Sequence, residues 1–171
     1  MVILDMIPKM KNNVKSKGKG TIMGNALEKI NREIIRQLRD GRKSYDQIGK
    51  KISITPNTVR ARVKKLMKDG VLDITGVINP DKMENHFLAM IGVKLKKMNL
   101  LRKGEQFSKL RGVVSACVVT GQFDLILLVL LNNEFGLLDF LTEEVSKVGE
   151  VLSTETFVVY KNFNLKVPYV L

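Results

Sequence analysis

The chain has 171 residues, enough for one medium domain or two small ones, and a formal net charge of +12. Such a charge points to a polyanionic partner or an anionic surface, and its distribution says more than its total. Through Asp81 the chain holds 18 of its 29 Lys and Arg against 8 of its 17 Asp and Glu, a net of +10, while the remainder nets only +2.

Several classes are excluded by what is scarce. One cysteine, Cys117, leaves no internal disulfide, and its apolar run Val113–Val119 predicts a buried strand thiol. The single His86 has no second histidine or cysteine pair with which to hold a metal. No general base, nucleophile or metal set stands at a recognisable spacing, so no enzyme and no cofactor are expected. The apolar start Met1–Pro8 is short and broken by Asp5, and Leu125–Leu131 falls far below the ~20 residues of a membrane helix. A cytoplasmic chain with no membrane segment is the expectation.

In chain order, residues 1–24 read as a flexible basic leader. Lys9, Lys11, Lys15, Lys17 and Lys19 stand among Asn, Ser and Gly without apolar periodicity. It would either attract phosphate non-specifically or serve solubility alone. A DNA-binding domain is predicted over 25–70. Leu27, Ile30, Ile34, Ile35 and Leu38 form the apolar stripe of a first helix, with Gly41 at its expected stop. Ser44 followed by Gln47 is a capping-box start for a second helix, whose inner face carries Ile48 and Ile52. Gly49 is small enough there for another helix to come close. Thr55 and Pro56 then start a third helix. Val59, Val63 and Leu66 line its inside, and Asn57, Thr58, Arg60, Arg62, Lys64 and Lys65 are expected to face outward. A short helix, a tight turn and a cationic second helix make a helix-turn-helix.

After Gly70 the period changes. Val71, Leu72, Ile74, Val77 and Ile78 read as a short strand or wing, stopped by Asn79-Pro80, within a linker 71–85. Over 86–171 the pattern predicts strand Phe87–Leu95, helix Leu100–Leu110, strands Val113–Thr120 and Leu125–Leu131, helix Phe135–Val148 and strand Val151–Tyr160. This is a βαββαβ, ferredoxin-like order, giving an α+β protein overall. Leu125–Leu131 is apolar throughout rather than alternating, so both its faces should be buried, which favours a dimer.

The residues resemble the Lrp/AsnC, or feast/famine, transcriptional regulators. The likeness spans about 26–160. It rests on Asp40-Gly41-Arg42-Lys43-Ser44, on Ile48 to Leu66 with Thr58-Val59-Arg60-Ala61-Arg62-Val63, on Gly70-Val71-Leu72, on Val77-Ile78-Asn79-Pro80 and on Thr120-Gly121-Gln122-Phe123-Asp124. It implies an N-terminal helix-turn-helix and a C-terminal effector and assembly domain. It further implies a homodimer that builds tetramers or octamers, binds palindromic double-stranded operators and responds to an amino acid. Two positions depart from the family's pattern: Ser53 stands where glycine is usual in the turn, and Phe123 where tyrosine is common.

For DNA the candidates are Thr55, Asn57, Thr58, Arg60, Arg62 and Lys65 on the third helix, with Ser44 and Tyr45 at the start of the second as phosphate contacts. For an effector, the resemblance points to the loop Gly121, Gln122, Phe123 and Asp124, with Thr154 and Thr156 as hydroxyl partners. Gly-x-x-Asp is equally what a plain turn between strands looks like. A βαββαβ sheet is also the topology of RNA-recognition modules, which stack bases on aromatics of their central strands. An RNA-binding or purely ligand-sensing module is therefore the alternative, although Val113–Thr120 carries no aromatic and the charge lies on the helical half.

Overall fold

The computed structural model describes residues 21–96 and 99–171, with side chains from Glu28 onward. The lysines of the expected leader, Lys9 to Lys19, lie outside the described residues. The chain divides into two compact units between Asp73 and Ile74.

The first unit is three helices, α1 (Thr21–Leu38), α2 (Tyr45–Ile52) and α3 (Pro56–Lys68). Helix α1 begins ahead of the expected Asn25. Ile34, Ile48, Val59 and Val63 are buried at its centre, with Ile30, Leu38, Tyr45, Ile52, Ile54 and Leu72 packed around them. So small a core leaves much of the folding free energy to local devices, and these are complete. The Ser44 hydroxyl accepts from the Gln47 N–H at 3.2 Å, and the Gln47 side chain accepts from the Ser44 N–H at 2.9 Å. At the start of α3 the Thr55 hydroxyl accepts from the Thr58 N–H at 3.2 Å. Between the two helices Ser53 takes a left-handed conformation (φ 57°, ψ 44°), the geometry that usually calls for glycine. Gly49 is required for closeness: a methyl group at its Cα would lie 2.6 Å from the Ile54 carbonyl oxygen.

The second unit holds β1 (Val77–Ile78), β2 (His86–Leu95), α4 (Leu100–Ser108), β3 (Val113–Val118) and β4 (Leu125–Asn132). Helix α5 follows as three contiguous pieces, Leu137–Asp139, a π-helical stretch Phe140–Val145 and Ser146–Val148, and then β5 (Val151–Val158) and β6 (Val167–Pro168). The four-stranded sheet is antiparallel in the order β3-β4-β2-β5, the expected ferredoxin-like arrangement. One face lies under the helices. Ala89, Ile91 and Val93 of β2 and Leu125, Leu127, Val129 and Leu131 of β4 pack there with Phe107, Phe135, Phe140, Val145 and Val148. Each large side chain so buried contributes about 1.5–3 kcal/mol. Lys103 of α4 is itself buried, donating to the Val148 and Gly149 carbonyls at 2.6 and 3.3 Å and pairing with Glu150 at 3.1 Å. Its charge stops the C-terminal end of α5.

Three expectations need correction. Val71, Leu72 and Ile74 form no strand: only Val77–Ile78 is laddered, antiparallel to β6, which the apolar pattern did not reveal. Leu130 is buried on the far face of the sheet by the chain's own C-terminal segment, where Val167, Leu165, Val170 and Leu171 cluster with Leu88. Burial of both faces of β4 is thus partly met without a second subunit. Finally, Cys117 is exposed, because β3 is an edge strand and position 117 pairs with Ile126 on the face away from the helices.

Candidate nucleic-acid interface and effector loop

The two caps fix where α2 and α3 start, and helical periodicity then decides what each side chain faces. On α3, Asn57, Arg60, Ala61, Lys64 and Lys65 are exposed. Asn57, Thr58, Ala61, Arg62 and Lys65 line a shallow groove of about 550 Å³ along its outer side. The Thr55 and Thr58 hydroxyls are 2.8 Å apart and bonded to each other, so part of their capacity is used within the helix start. Ser44 is likewise a cap, while its hydroxyl hydrogen stays available to an acceptor. Tyr45 is half-buried against the three-helix core.

Arg62 lines that outer groove and is at the same time half-buried on the side of α1. Position 62 sits three and four residues from Val59 and Leu66, on the flank of the buried stripe, and its side chain turns to α1. There Nη1–H donates to Asn31 Oδ1 at 3.1 Å, and Nε is buried without a partner. Sequence reading missed Asn31, which lies thirty-one positions upstream and shows no local signal.

In the loop after β3, Gly121 has φ +130°, a conformation open to glycine, and Gly121 and Gln122 are exposed. Phe123 folds its ring over β2 at Gly92, where a methyl group would lie 2.7 Å from the ring carbons. It meets Phe157 edge-on at 6.4 Å between centroids. Asp124 is tied into the sheet end. Its Oδ2 accepts from the Leu95 N–H at 2.8 Å, its Oδ1 lies 3.5 Å from Lys94 Nζ, and its own N–H donates to the Val93 carbonyl at 3.0 Å. Phe123 and Asp124 are therefore held against β2 by the protein itself, while Gly121 and Gln122 stay exposed.

Thr154 and Thr156 are not brought to that loop's aromatic. Thr154 pairs with Val93 and Thr156 with Ile91, residues of the helix-covered face, whereas Phe157 pairs with Met90 on the opposite face, where Phe123 sits. The strand alternation separates the two sets.

The sheet also bears on the RNA alternative. Val113–Val118 is an edge strand, and the central strands are β2 and β4. On the face away from the helices these present Leu88, Met90, Gly92, Ile126, Leu128 and Leu130, with no aromatic among them. The one ring that a central strand carries on this face, His86, is engaged with Tyr169 at 5.8 Å between centroids. Among the described residues no helix is long and apolar enough to cross a membrane.

Comparison with known proteins agrees with this geometry. Residues 27–73 match a family model described as winged helix-turn-helix DNA-binding, and residues 88–166 one described as Lrp/AsnC ligand binding domain. An uncharacterized HTH-type transcriptional regulator of Pyrococcus horikoshii is 34% identical over 135 residues, which cover 78% of this chain and 85% of the relative. Among solved structures, E. coli AsnC aligns with a TM-score of 0.61 at 23% identity, covering 78% of this chain and 92% of that one. A transcriptional regulator of Neisseria meningitidis, solved as a complex with L-Met, aligns with a TM-score of 0.63 at 19% identity, covering 84% and 94%. At these identities the structural likeness shows the fold. The sequence matches over both units show the rest: this chain belongs to the Lrp/AsnC family and is a helix-turn-helix transcriptional regulator that binds DNA rather than an enzyme.

Proposed function

We propose that two copies of this chain bind a palindromic operator in the cytoplasm and that a free amino acid modulates the binding. The observation that carries the reading is the doubly capped α2–α3 pair, which presents Asn57, Arg60, Ala61, Lys64 and Lys65 on one exposed face. In this reading Thr55, Asn57, Thr58 and Arg60 reach base edges near the N-terminal end of α3. Lys65, Arg62, Ser44 and Tyr45 hold phosphates at its margins.

The dimer would form through the sheet face away from the helices. Met90 and Phe157 are 43% and 49% exposed there, beside the part already covered by the C-terminal segment. An exposed apolar cluster of this kind on a sheet is a favoured surface for self-association. Pairs of dimers then build the tetramer or octamer that the family resemblance implies.

The effector would sit at Gly121, Gln122, Phe123 and Asp124. Both Asp124 oxygens already have one partner, yet a carboxylate offers about four acceptor positions, and the remaining lone pairs suit an α-ammonium group. Support outside this chain is the L-Met bound by the Neisseria meningitidis regulator. Thr154 and Thr156 lie on the wrong side of β5 to join Phe123, so any role for them needs a neighbouring subunit.

Selection of duplexes from a random pool by the purified protein, followed by mapping of its bound sites in the genome, tests the first part. Enrichment of a two-fold symmetric sequence is expected, and enrichment of none would end the operator reading. Sedimentation with each of the twenty amino acids tests the second. At least one should shift the oligomer distribution, and Asp124→Asn should blunt that response. If no amino acid shifts it, the loop serves the fold alone.

A further inference from the structure

We propose that Asn31 of α1 is a positioning residue for DNA binding, holding the Arg62 guanidinium at the flank of α3 with its charge intact, so that Arg62 meets a backbone phosphate and not a base. This rests on the reading of α3 as the recognition helix.

The geometry begins with the stripe. Because position 62 adjoins Val59 and Leu66 on the helix surface, the Arg62 stem is drawn towards α1 and half-buried, while Arg60 stays exposed. Its tip lines both the outer groove and a smaller cleft of about 130 Å³ formed by Asn31, Lys65, Leu66 and Asp69. A side chain so placed cannot follow a base edge to the bottom of the major groove. It can stand as a fixed cation beside the backbone, where phosphates recur at regular spacing whatever the sequence.

The chemistry of the holding group matters as much as the placing. Asn31 offers an amide oxygen, which orients a guanidinium by one hydrogen bond and carries no charge. That bond uses one of five N–H donors, and Nε–H is buried with no acceptor. Among the described residues no carboxylate forms an ion pair with Arg62. A carboxylate at position 31 would grip the same fork through charge-assisted bonds and cancel the charge that a phosphate would otherwise meet. An amide there gives orientation without neutralisation.

The test is Asn31→Asp, which keeps the shape and the acceptor and adds the charge. Affinity of the full chain for a duplex that the wild type has selected from a random pool is measured across a salt series. Asn31→Asp is expected to weaken binding about tenfold or more near physiological salt. It should also flatten the plot of log affinity against log salt by about 0.9 for each Arg62 engaged. Base preference should be unchanged at every position, and the melting temperature equal to or above that of the wild type. Arg62→Gln should reproduce the loss of slope, and adding Asn31→Asp to it should change little, because the first residue acts through the second.

A wild-type slope in Asn31→Asp overturns the assignment. So does an equal loss when Asn31→Asp is placed on Arg62→Gln, which would make it a general charge effect. Relaxed preference at one base in Arg62→Gln would make Arg62 a base reader and overturn it too. If the wild type enriches no duplex at all, the recognition-helix reading fails. That result is distinct from a wild-type complex that ignores position 31.

Discussion

The helical unit and the sheet unit reach stability by different means. The first has four residues at its buried centre and relies on hydrogen bonds that close within three positions of the chain, Ser44 to Gln47 and Thr55 to Thr58. The second buries fourteen side chains between sheet and helices, drawn from strands far apart in sequence. A small unit held by local devices is sensitive at its turns, and a larger one is sensitive in its core. The difference teaches where a substitution in either will be felt.

Five measurements would break or sharpen that contrast, each by calorimetric or chemical unfolding resolved into the transitions of the two units unless stated otherwise. The largest effect belongs to the sheet. Leu127 is fully buried on the central strand β4, and Leu127→Ala should cost about 2–5 kcal/mol in the transition of residues 74–171 while leaving the helical unit unchanged. Gly49→Ala comes next and acts on the other unit. The added methyl meets the Ile54 backbone at 2.6 Å, and forcing the turn apart should cost about 1–3 kcal/mol there. Equal sensitivity of both transitions to either change would mean that the units do not unfold separately.

Smaller effects are expected at the caps and the turn. Thr55→Ala should remove about 1 kcal/mol from the helical unit. Ser53→Gly should stabilise it by up to about 1 kcal/mol, since glycine takes the left-handed geometry without the steric cost a side chain meets there. A loss on Ser53→Gly would mean that the greater freedom of glycine in the unfolded chain outweighs that relief.

The smallest effect is electrostatic and lies in the sheet unit. Asp81 accepts from Lys161, with an ion-pair distance of 3.1 Å, and from Asn162, and the Lys161 bond above all holds its carboxyl below the ordinary carboxylate range. A depressed folded value means that the stabilisation is present above the carboxyl's unfolded range, near pH 4, and is lost as pH falls through the folded value. Protection of the Ile78 and Val167 amides, where β1 meets β6, measured as exchange relative to the intrinsic rate at each pH, should therefore fall below about pH 4 in the wild type. Asp81→Asn should show less of that pH dependence. Identical profiles would dissociate Asp81 from the C-terminal segment.

What was legible in the sequence follows the same division. Caps and turns announce themselves within a few residues, so the whole α2–α3 pair, with its left-handed Ser53 and its close Gly49, could be read from the chain. The succession of strands and helices along the second unit is equally readable from its apolar runs. The bond from Arg62 to Asn31 is not legible, because helical spacing names the neighbours of Arg62 on α3 and says nothing of Asn31 on α1. Strand β6 was missed because two residues show no period, and its pairing with β1 bridges some ninety positions. Cys117 and the pair Thr154 and Thr156 fell on unexpected faces for one shared reason. Alternation tells which side chains share a face of a strand, but which face the helices cover is settled only when the sheet assembles.

The seat of Phe123 on Gly92 has a thermodynamic consequence. Ordering an exposed loop ordinarily draws on a ligand's binding free energy, at roughly 1–2 kcal/mol for each backbone residue fixed. Here the aromatic ring rests on a bare stretch of strand, and Asp124 is bonded to β2, so the fold has met that entropic cost before anything arrives. A molecule binding beside Phe123 and Asp124 would keep more of its interaction energy for distinguishing one quaternary state from another. A bulkier residue at position 92 would unseat the ring, return the loop to a mobile ensemble, and turn a stiff receptor into one that each ligand must first assemble.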